Sequence, residues 1–206
     1  EYNANRAPAI ISLDKMNVVF TNLDNPISIS IPGFYPEQIN ASLSPVNVGS
    51  LQKVGPGRYN AKINKRDRNG CNINVSVKLP DGSLKSMGRV NYRTMKVPKP
   101  TPSLNGNSGN KISVGALRSV KALSVVLENF VFEGIRYQVE SFDYRYYKAS
   151  GELVEGSSDS RILPDELRLA IKDATTGDFV VFYNIKASAQ QIGEIDIPGA
   201  MAFEIE

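Results

Sequence analysis

Alternating apolar and polar positions mark the first half of the chain most clearly between Ile27 and Ile31. Isoleucine occupies every second residue of this run and serine fills the positions between. A period of two places the isoleucines on one face of a β-strand and the serines on the other, so one face is buried and the other is solvated. Pro32 and Gly33 end the strand, because proline cannot donate to a ladder and glycine tolerates the following turn.

Similar short runs recur along the first half, separated by Pro-Gly, Gly-Pro-Gly, Asn-Gly and Pro-Asp-Gly turns. We predict seven strands, at residues 9–13, 16–20, 26–31, 38–43, 57–63, 71–78 and 87–93. An Asn-Leu-Asp-Asn-Pro turn at 22–26 joins the second strand to the third as a strand pair, and Asp81-Gly82 forms a hairpin tip. Such a series is typical of an immunoglobulin-like β-sandwich, with Tyr59 packed at a corner. The Cys-Trp-Cys core of antibody domains is absent, since the chain has no tryptophan.

The second half is also rich in strands. We interpret 112–117 as a strand followed by a short turn, and we predict further strands at 122–126, 135–147, 152–156, 178–187 and 200–205. The long run changes phase, because Ile135, Tyr137 and Val139 share one parity while Phe142 and the tyrosines after it share the other. One extra residue near Glu140-Ser141 restores a single apolar face, which predicts a β-bulge. A strand that crosses from one sheet contact to another is the alternative.

One short helix is predicted near residues 164–174. Pro164 occupies its first turn and two acidic residues follow, which favours the positive end of the helix dipole. Leu167, Ile171 and Ala174 form an apolar stripe on one side. Gly177 supplies the stop, since glycine adopts the left-handed cap conformation.

A segment rich in proline, glycine and asparagine at 98–110 divides the chain. Its alternating prolines favour an extended spacer, and the glycine and asparagine residues after them favour a soft turn. We therefore predict an immunoglobulin-like domain at 1–97, a linker at 98–110 and a β-rich domain with one helix at 111–206. The fold class is mainly β.

Charge is distributed unequally between the halves. Residues 1–97 hold 13 Lys and Arg against 6 Asp and Glu, a net of +7, whereas residues 98–206 hold 11 against 15, a net of −4. The positive charge peaks at residues 62–68 and 85–96. The first cluster lies in a loop with a hairpin-like turn and without an aromatic residue for base stacking, so we expect a solvated or protein-facing surface rather than a nucleic-acid site. Halves of opposite sign favour docking onto a matching surface.

Candidate catalytic and metal-binding groups are few. The chain has no histidine, which removes the commonest general base and transition-metal ligand. Its one cysteine, Cys71, shares the parity of neighbouring strand residues and is interpreted as a buried hydrophobe. Asp165 and Glu166 are adjacent and face different ways on a helix, so they suit capping better than acid–base catalysis. The loop 155–161 lacks the spacing of a calcium loop, and Gly-Asn-Ser-Gly at 106–109 follows no strand and opens no helix, as a phosphate loop would.

Three function classes stay open on the residues alone. The first is a structural and binding protein, with Tyr144, Tyr146 and Tyr147 as candidate partner-binding residues because tyrosine is enriched at interfaces. The second is a carbohydrate- or peptide-binding adhesin sandwich. The third is a hydrolase, which requires a carboxylate pair that includes Asp143 or Asp159. No stretch of about 18 apolar residues is present, so we predict no membrane span. We expect no cofactor, no metal and no small-molecule substrate.

Several blocks resemble one known family in collinear order. They are Asp-Lys-Met-Asn-Val-Val-Phe at 14–20, Asp-Asn-Pro-Ile-Ser-Ile-Ser-Ile-Pro-Gly at 24–33, Gly-Arg-Tyr at 57–59, Gly-Arg-Val at 88–90, Gly-Ala-Leu at 115–117, Leu-Glu-Asn-Phe-Val-Phe at 127–132 and Val-Glu-Ser-Phe at 139–142. Together with the proline-rich spacer, these blocks resemble the carboxy-terminal periplasmic region of the GldM/PorM family. Proteins of that family are core components of gliding motility and the type IX secretion system.

The resemblance implies the last two domains of a homodimeric protein anchored in the inner membrane. The membrane segment and the other periplasmic domains would precede Glu1, so the chain is expected to be a piece of a longer protein. In the family, the membrane part joins GldL/PorL in a motor driven by the proton-motive force. The periplasmic shaft reaches toward the outer-membrane-associated ring of GldK/PorK and GldN/PorN. The resemblance thus implies a non-catalytic role in binding and transmission of motion.

Overall fold

The computed structural model describes residues 10–11, 17–128, 130 and 135–206. The chain divides into two compact units, Glu1–Val97 and Pro98–Glu206. Residues 9, 12, 13 and 16 of the predicted first two strands lie outside the described residues. Each unit has its own apolar core.

Among the described residues, the first unit is a sandwich of two four-stranded sheets. Its strands are β1 (Ile10–Ile11), β2 (Val18–Phe20), β3 (Asp24–Ser30), β4 (Ile39–Ser44), β5 (Gly49–Gly55), β6 (Arg58–Ile63), β7 (Cys71–Lys78) and β8 (Leu84–Met95). One sheet has the order β1-β3-β6-β5 and the other has the order β2-β8-β7-β4. With the first strand divided between the sheets, this is the strand arrangement of an immunoglobulin constant-type domain. The predicted immunoglobulin-like fold is confirmed.

Two predicted connections differ from the structure. β2 and β3 were expected to form a pair about a turn, but β2 pairs in parallel with β8, and β3 pairs antiparallel with β6 in the other sheet. The loop 64–70 has a hairpin-like sequence, yet β6 and β7 also lie in different sheets, so this loop crosses between them. By contrast, the Asp81-Gly82 tip joins β7 and β8 as expected, with Gly82 N–H donating to the Leu79 carbonyl at 2.9 Å.

The sandwich core follows the alternation along the strands. Ile27, Ile29 and Ile31 are buried, and Cys71 is buried on the same parity as the apolar residues of β7. Tyr59 is also buried, and its hydroxyl donates to the Ile39 carbonyl at 2.7 Å, which ties one sheet to the other. The strand β5 was not predicted, because it is an edge strand with one weakly apolar face.

Within the described part of the chain, the second unit contains eight strands and two helices. They are β9 (Thr101–Leu104), β10 (Lys111–Ile112), α1 (Val114–Ser119), β11 (Leu123–Val126), β12 (Gln138–Tyr147), β13 (Leu153–Ser158), α2 (Asp165–Lys172), β14 (Phe179–Ala189), β15 (Gly193–Asp196) and β16 (Met201–Ile205). The main sheet has the order β10-β16-β14-β12-β13, and β15 is a further strand that pairs with β14. A separate ribbon pairs β9 with β11.

The predicted bulge in the long strand is confirmed. The pairing of β12 with β14 changes register between Val139 and Ser141 and again between Ser141 and Asp143. As a result Val139 and Phe142 are both buried in one core, although they differ in parity.

Three predictions for the second unit need correction. Residues 114–117 were interpreted as the end of a strand and a turn, but they lie in α1, where the Ser113 hydroxyl accepts a hydrogen bond from Ala116 N–H at 3.2 Å. The segment 98–110 was interpreted as a linker, but it contains β9, which belongs to the ribbon. The predicted helix exists and is confirmed, although it ends at Lys172, before the expected residue 174.

Both helices contribute to the core of the second unit. Leu167, Ala170 and Ile171 of α2 are buried with Leu117 of α1 against the inner side chains of the main sheet. Arg118 donates to the Ala174 carbonyl at 2.9 Å, which satisfies a carbonyl just past the end of α2. In the part of the chain that the structure describes, no helix has the length and apolar character that a membrane crossing requires.

Candidate partner-binding surface

The three candidate tyrosines do not share one surface. Tyr144 and Tyr146 have the same parity on β12 and are buried in the core, whereas Tyr147 points to the opposite face and is 40% exposed. The prediction of one patch is therefore corrected, because successive side chains of a strand alternate between the faces of its sheet. Only Tyr147 stays a candidate contact residue.

Tyr147 is the centre of an exposed apolar row that crosses three strands. It lies opposite Leu153 of β13 and opposite Phe179 of β14 in the sheet register. Leu153 is 47% exposed and Phe179 is 39% exposed, and the rings of Tyr147 and Phe179 have centroids 6.4 Å apart. We call Leu153, Tyr147 and Phe179 the apolar row. A contiguous group of large exposed side chains on a sheet face is typical of an interaction site.

Charged and polar side chains border the apolar row on the same sheet face. Arg145 bonds to Glu155 at 2.9 Å, and its guanidinium lies 5.5 Å from the centre of the Tyr183 ring. Asn184 donates to Asp143 at 2.7 Å. A polar border around an apolar centre is the usual anatomy of a protein–protein interface.

A buried carboxylate fixes the sheet beneath the row. Asp178 accepts hydrogen bonds from the Tyr146 hydroxyl, from Ala149 N–H at 2.8 Å and from Thr175 N–H at 2.9 Å. Burial acts to raise the pKa of Asp178, but these hydrogen bonds outweigh burial and hold the pKa below its ordinary value. Burial, and then the bond to Asp178, raises the pKa of Tyr146. Asp178 therefore links the end of β12 and the loop after α2 to the start of β14, the strand that carries Phe179.

The carboxylates considered for catalysis are exposed or engaged in other contacts. Asp165 is exposed in the first turn of α2 and pairs with Arg168 at 3.0 Å, and no side chain caps this helix, so the expected capping role is not observed. The Asp143 carboxylate accepts a hydrogen bond from the Asn184 amide, and Asp159 is exposed. Among the described residues, no group of three or more cysteine, aspartate or glutamate side chains is placed to hold a metal ion.

Sequence reasoning missed Leu153 and Phe179. Both lie in strands that were predicted, but their proximity to Tyr147 depends on the order of strands in the sheet. The connection between residues 147 and 153 is short enough for a hairpin, which indicates that Tyr147 and Leu153 lie on neighbouring strands. No local pattern indicated that β14 pairs with β12 from the other side.

The described residues form an immunoglobulin-like sandwich and a β-rich unit with two helices, and the second unit carries the apolar row. Comparison with protein-family models matches residues 8–94 to the GldM third domain and residues 98–206 to the GldM C-terminal domain. The chain therefore belongs to the GldM family, in agreement with the resemblance of its sequence blocks. The comparisons indicate no enzyme family.

Two solved structures resemble the chain distantly. The fibronectin(III)-like modules of Clostridium thermocellum CbhA share 14% identity, with 96% of this chain and 94% of that chain covered and a TM-score of 0.30. The extracellular cadherin domains 1–5 of protocadherin gamma B2 share 9% identity, with 97% of this chain and 40% of that chain covered and a TM-score of 0.31. The comparison with curated proteins returned no match.

Proposed function

We propose that this chain is a non-catalytic, periplasmic part of the gliding and type IX secretion machinery. It acts as a section of a homodimeric shaft that links an inner-membrane motor to an outer-membrane-associated ring and transmits energy or conformational change. The observation that carries the proposal is the match of both units, in order, to consecutive GldM domains. The partners are GldK/PorK and GldN/PorN at the ring, and GldL/PorL at a membrane segment outside this chain.

The apolar row is the contact surface that we assign to this function. Its three side chains are presented by three hydrogen-bonded strands of one sheet, so they are held rigidly before binding. A rigid aromatic centre adds affinity because few rotamers are lost on association. The strands beneath it are tied by Asp178, so a force on the row is passed to the sheet rather than absorbed by a loop.

Binding to the ring complex tests the proposal. The purified chain is immobilised, and titration of a purified GldK–GldN complex is followed by biolayer interferometry. We expect saturable binding by the native chain and about a tenfold or greater loss of affinity for the Tyr147→Ser, Phe179→Ser double variant. Tyr35→Ser is the matched control, because Tyr35 is 77% exposed and lies in the other unit.

Two results would contradict this function. The first is absence of ring binding by a folded chain that light scattering shows to be a dimer. The second is equal loss of binding in the Tyr35 control and in the double variant. Saturable binding on a glycan array, without ring binding, would favour the adhesin alternative.

A further inference from the structure

We call five exposed cations of the sandwich unit the basic face. They are Lys65, Arg66 and Arg68 on the loop between β6 and β7, and Arg89 and Arg93 on β8. All five are exposed, and none forms an ion pair with another described residue. Asp67 is the one acid within the loop, so five cations and one carboxylate give the basic face a net charge of +4.

The loop cations are fixed beside β8 by backbone hydrogen bonds. Asp67 N–H donates to Thr94 Oγ1 at 2.7 Å, and the Thr94 hydroxyl donates to the Asp67 carbonyl at 2.8 Å. Gly70 closes the loop at a φ of +73°, where a Cβ atom would lie 2.1 Å from the Tyr92 carbonyl oxygen. The backbone of the loop is therefore held against the strand that carries Arg93.

Nine neighbouring positions on this sheet are polar and free of carboxylates. Three rows cross β4, β7 and β8 on the outer face: Ser44, Asn72 and Asn91; Ser42, Asn74 and Arg89; Asn40, Ser76 and Ser86. Asn74 donates to Ser44 at 3.0 Å and Asn91 donates to Asn72 at 3.2 Å. None of these nine positions carries an aromatic side chain.

Charge complementarity identifies the occupant. A guanidinium pairs with a carboxylate through two parallel hydrogen bonds, and amide and hydroxyl side chains bind peptide groups and carboxylates equally well. Single-stranded nucleic acid is held by base stacking on aromatic side chains, which these rows lack. We propose that the basic face docks a carboxylate-rich surface of a partner protein.

This second surface goes beyond the proposed function, because it lies in the other unit from the apolar row. Its test uses two probes, and only one of them depends on the proposed function. The first probe is the purified GldK–GldN complex, and the second is poly-L-glutamate, which presents carboxylates alone. Binding of each is measured to the whole chain at about 50 mM and about 300 mM salt, since screening weakens contacts between exposed charges.

Charge reversal at single arginines supplies the variants. Arg89→Glu and Arg93→Glu change the basic face, and Arg58→Glu is the matched control, because Arg58 is an exposed strand arginine in the opposite sheet. We expect about a tenfold loss of poly-L-glutamate affinity in each of the first two variants and less than about twofold in the control. We also expect a loss of affinity for the native chain at the higher salt concentration.

The outcomes separate this inference from the proposed function. If poly-L-glutamate binding depends on Arg89 and Arg93 while the ring complex does not bind, the proposed function fails and the acidic-partner surface stands. If Arg58→Glu weakens poly-L-glutamate binding as much as the other variants do, the basic face is overturned as a site. Tighter binding of single-stranded DNA than of poly-L-glutamate, dependent on the same arginines, would also overturn it in favour of nucleic acid.

Discussion

Asn25 hydrogen-bonds both backbone groups of Phe20, at the point where the chain leaves one sheet of the sandwich for the other. Phe20 N–H donates to Asn25 Oδ1 at 2.8 Å, and Asn25 Nδ2 donates to the Phe20 carbonyl at 2.9 Å. The same amide nitrogen lies 3.0 Å from the carbonyl oxygens of Leu23 and Ala61. One buried side chain therefore joins the end of β2 to β3 and β6.

Removal of this amide should weaken the sandwich unit. We expect Asn25→Ala to lower its free energy of unfolding by about 3 kcal/mol, because buried backbone groups lose their hydrogen-bond partner. Native-state hydrogen exchange of peptides from β3 and β6 measures the change, with peptides from the second unit as the internal reference.

Asn91→Ala is the control for this prediction. Asn91 is exposed, and its amide makes only contacts of 3.2 to 3.4 Å, so we expect a change below about 0.5 kcal/mol. Equal protection of β3 and β6 in the native chain and in Asn25→Ala would contradict a role for Asn25 in joining the sheets.

Local features of this fold were predictable because their causes are local. The alternation at Ile27–Ile31, the parity of Cys71 and the hairpin at Asp81-Gly82 each depend on a few adjacent residues. The bulge after Val139 was predictable for the same reason, since a change of parity within one run requires an extra residue. These features identify the fold class without any knowledge of strand order.

Features that depend on pairing between distant residues were not predictable. The turn at 22–26 suggested a β2–β3 pair, but burial of both strands against a common core places them in different sheets. α1 was missed because its glycine weakens the helical pattern, while the Ser113 cap that starts it is a single side chain. For the candidate site, alternation alone separates Tyr147 from Tyr146, but the position of Phe179 follows only from the order of strands.

A side chain at position 156 should disrupt the core of the second unit. A Cβ atom on Gly156 would lie 2.8 Å from the Tyr144 hydroxyl oxygen and 3.1 Å from the ring carbon that bears it, and Tyr144 is buried. We therefore expect Gly156→Ala to destabilise this unit by about 2 kcal/mol, because the packed ring must shift. Hydrogen exchange of peptides from β12 and β13 provides the measurement.

Gly115→Ala is the matched control within the same unit. A Cβ atom at position 115 meets nothing within 4 Å, and the residue lies in α1. Alanine should leave stability unchanged or raise it by up to about 1 kcal/mol, because it restricts the unfolded chain and favours the helix. Similar destabilisation by both alanines would show that the contact with Tyr144 is not the cause.

Cys71 should be inert in the folded protein. Burial, and then the nearby charge of Asp67, raises the pKa of its thiol to about 11. Since the thiolate is the reactive form, we expect negligible labelling by a thiol reagent at about pH 8 and full labelling of one thiol per chain after unfolding. The time course with Ellman's reagent, with and without urea, checks this. Complete labelling of the folded chain within minutes would contradict the structure.

Acid should weaken the second unit through Asp178. Its folded-state pKa is held below the ordinary value, so its carboxylate contributes stability that is fully present above the ordinary value and is lost as pH falls through the folded pKa. The loss should therefore begin below about pH 4. Many carboxylates titrate in this range, so the contribution of Asp178 must be isolated by substitution.

The variant Asp178→Asn isolates the contribution of the Asp178 charge, because asparagine has nearly the same shape as aspartate and cannot ionise. We expect this variant to lose about 3 kcal/mol near neutral pH, since its amide group presents a donor to neighbours that already donate. The difference from the native chain should shrink as pH is lowered from about 6 to about 2.5, because the native carboxylate is then protonated too. Hydrogen exchange of β12 and β14 peptides across this range measures the difference, and Asp159→Asn, at an exposed loop position, is the control. A difference that stays constant with pH would mean that ionisation of Asp178 does not contribute to the stability of the unit.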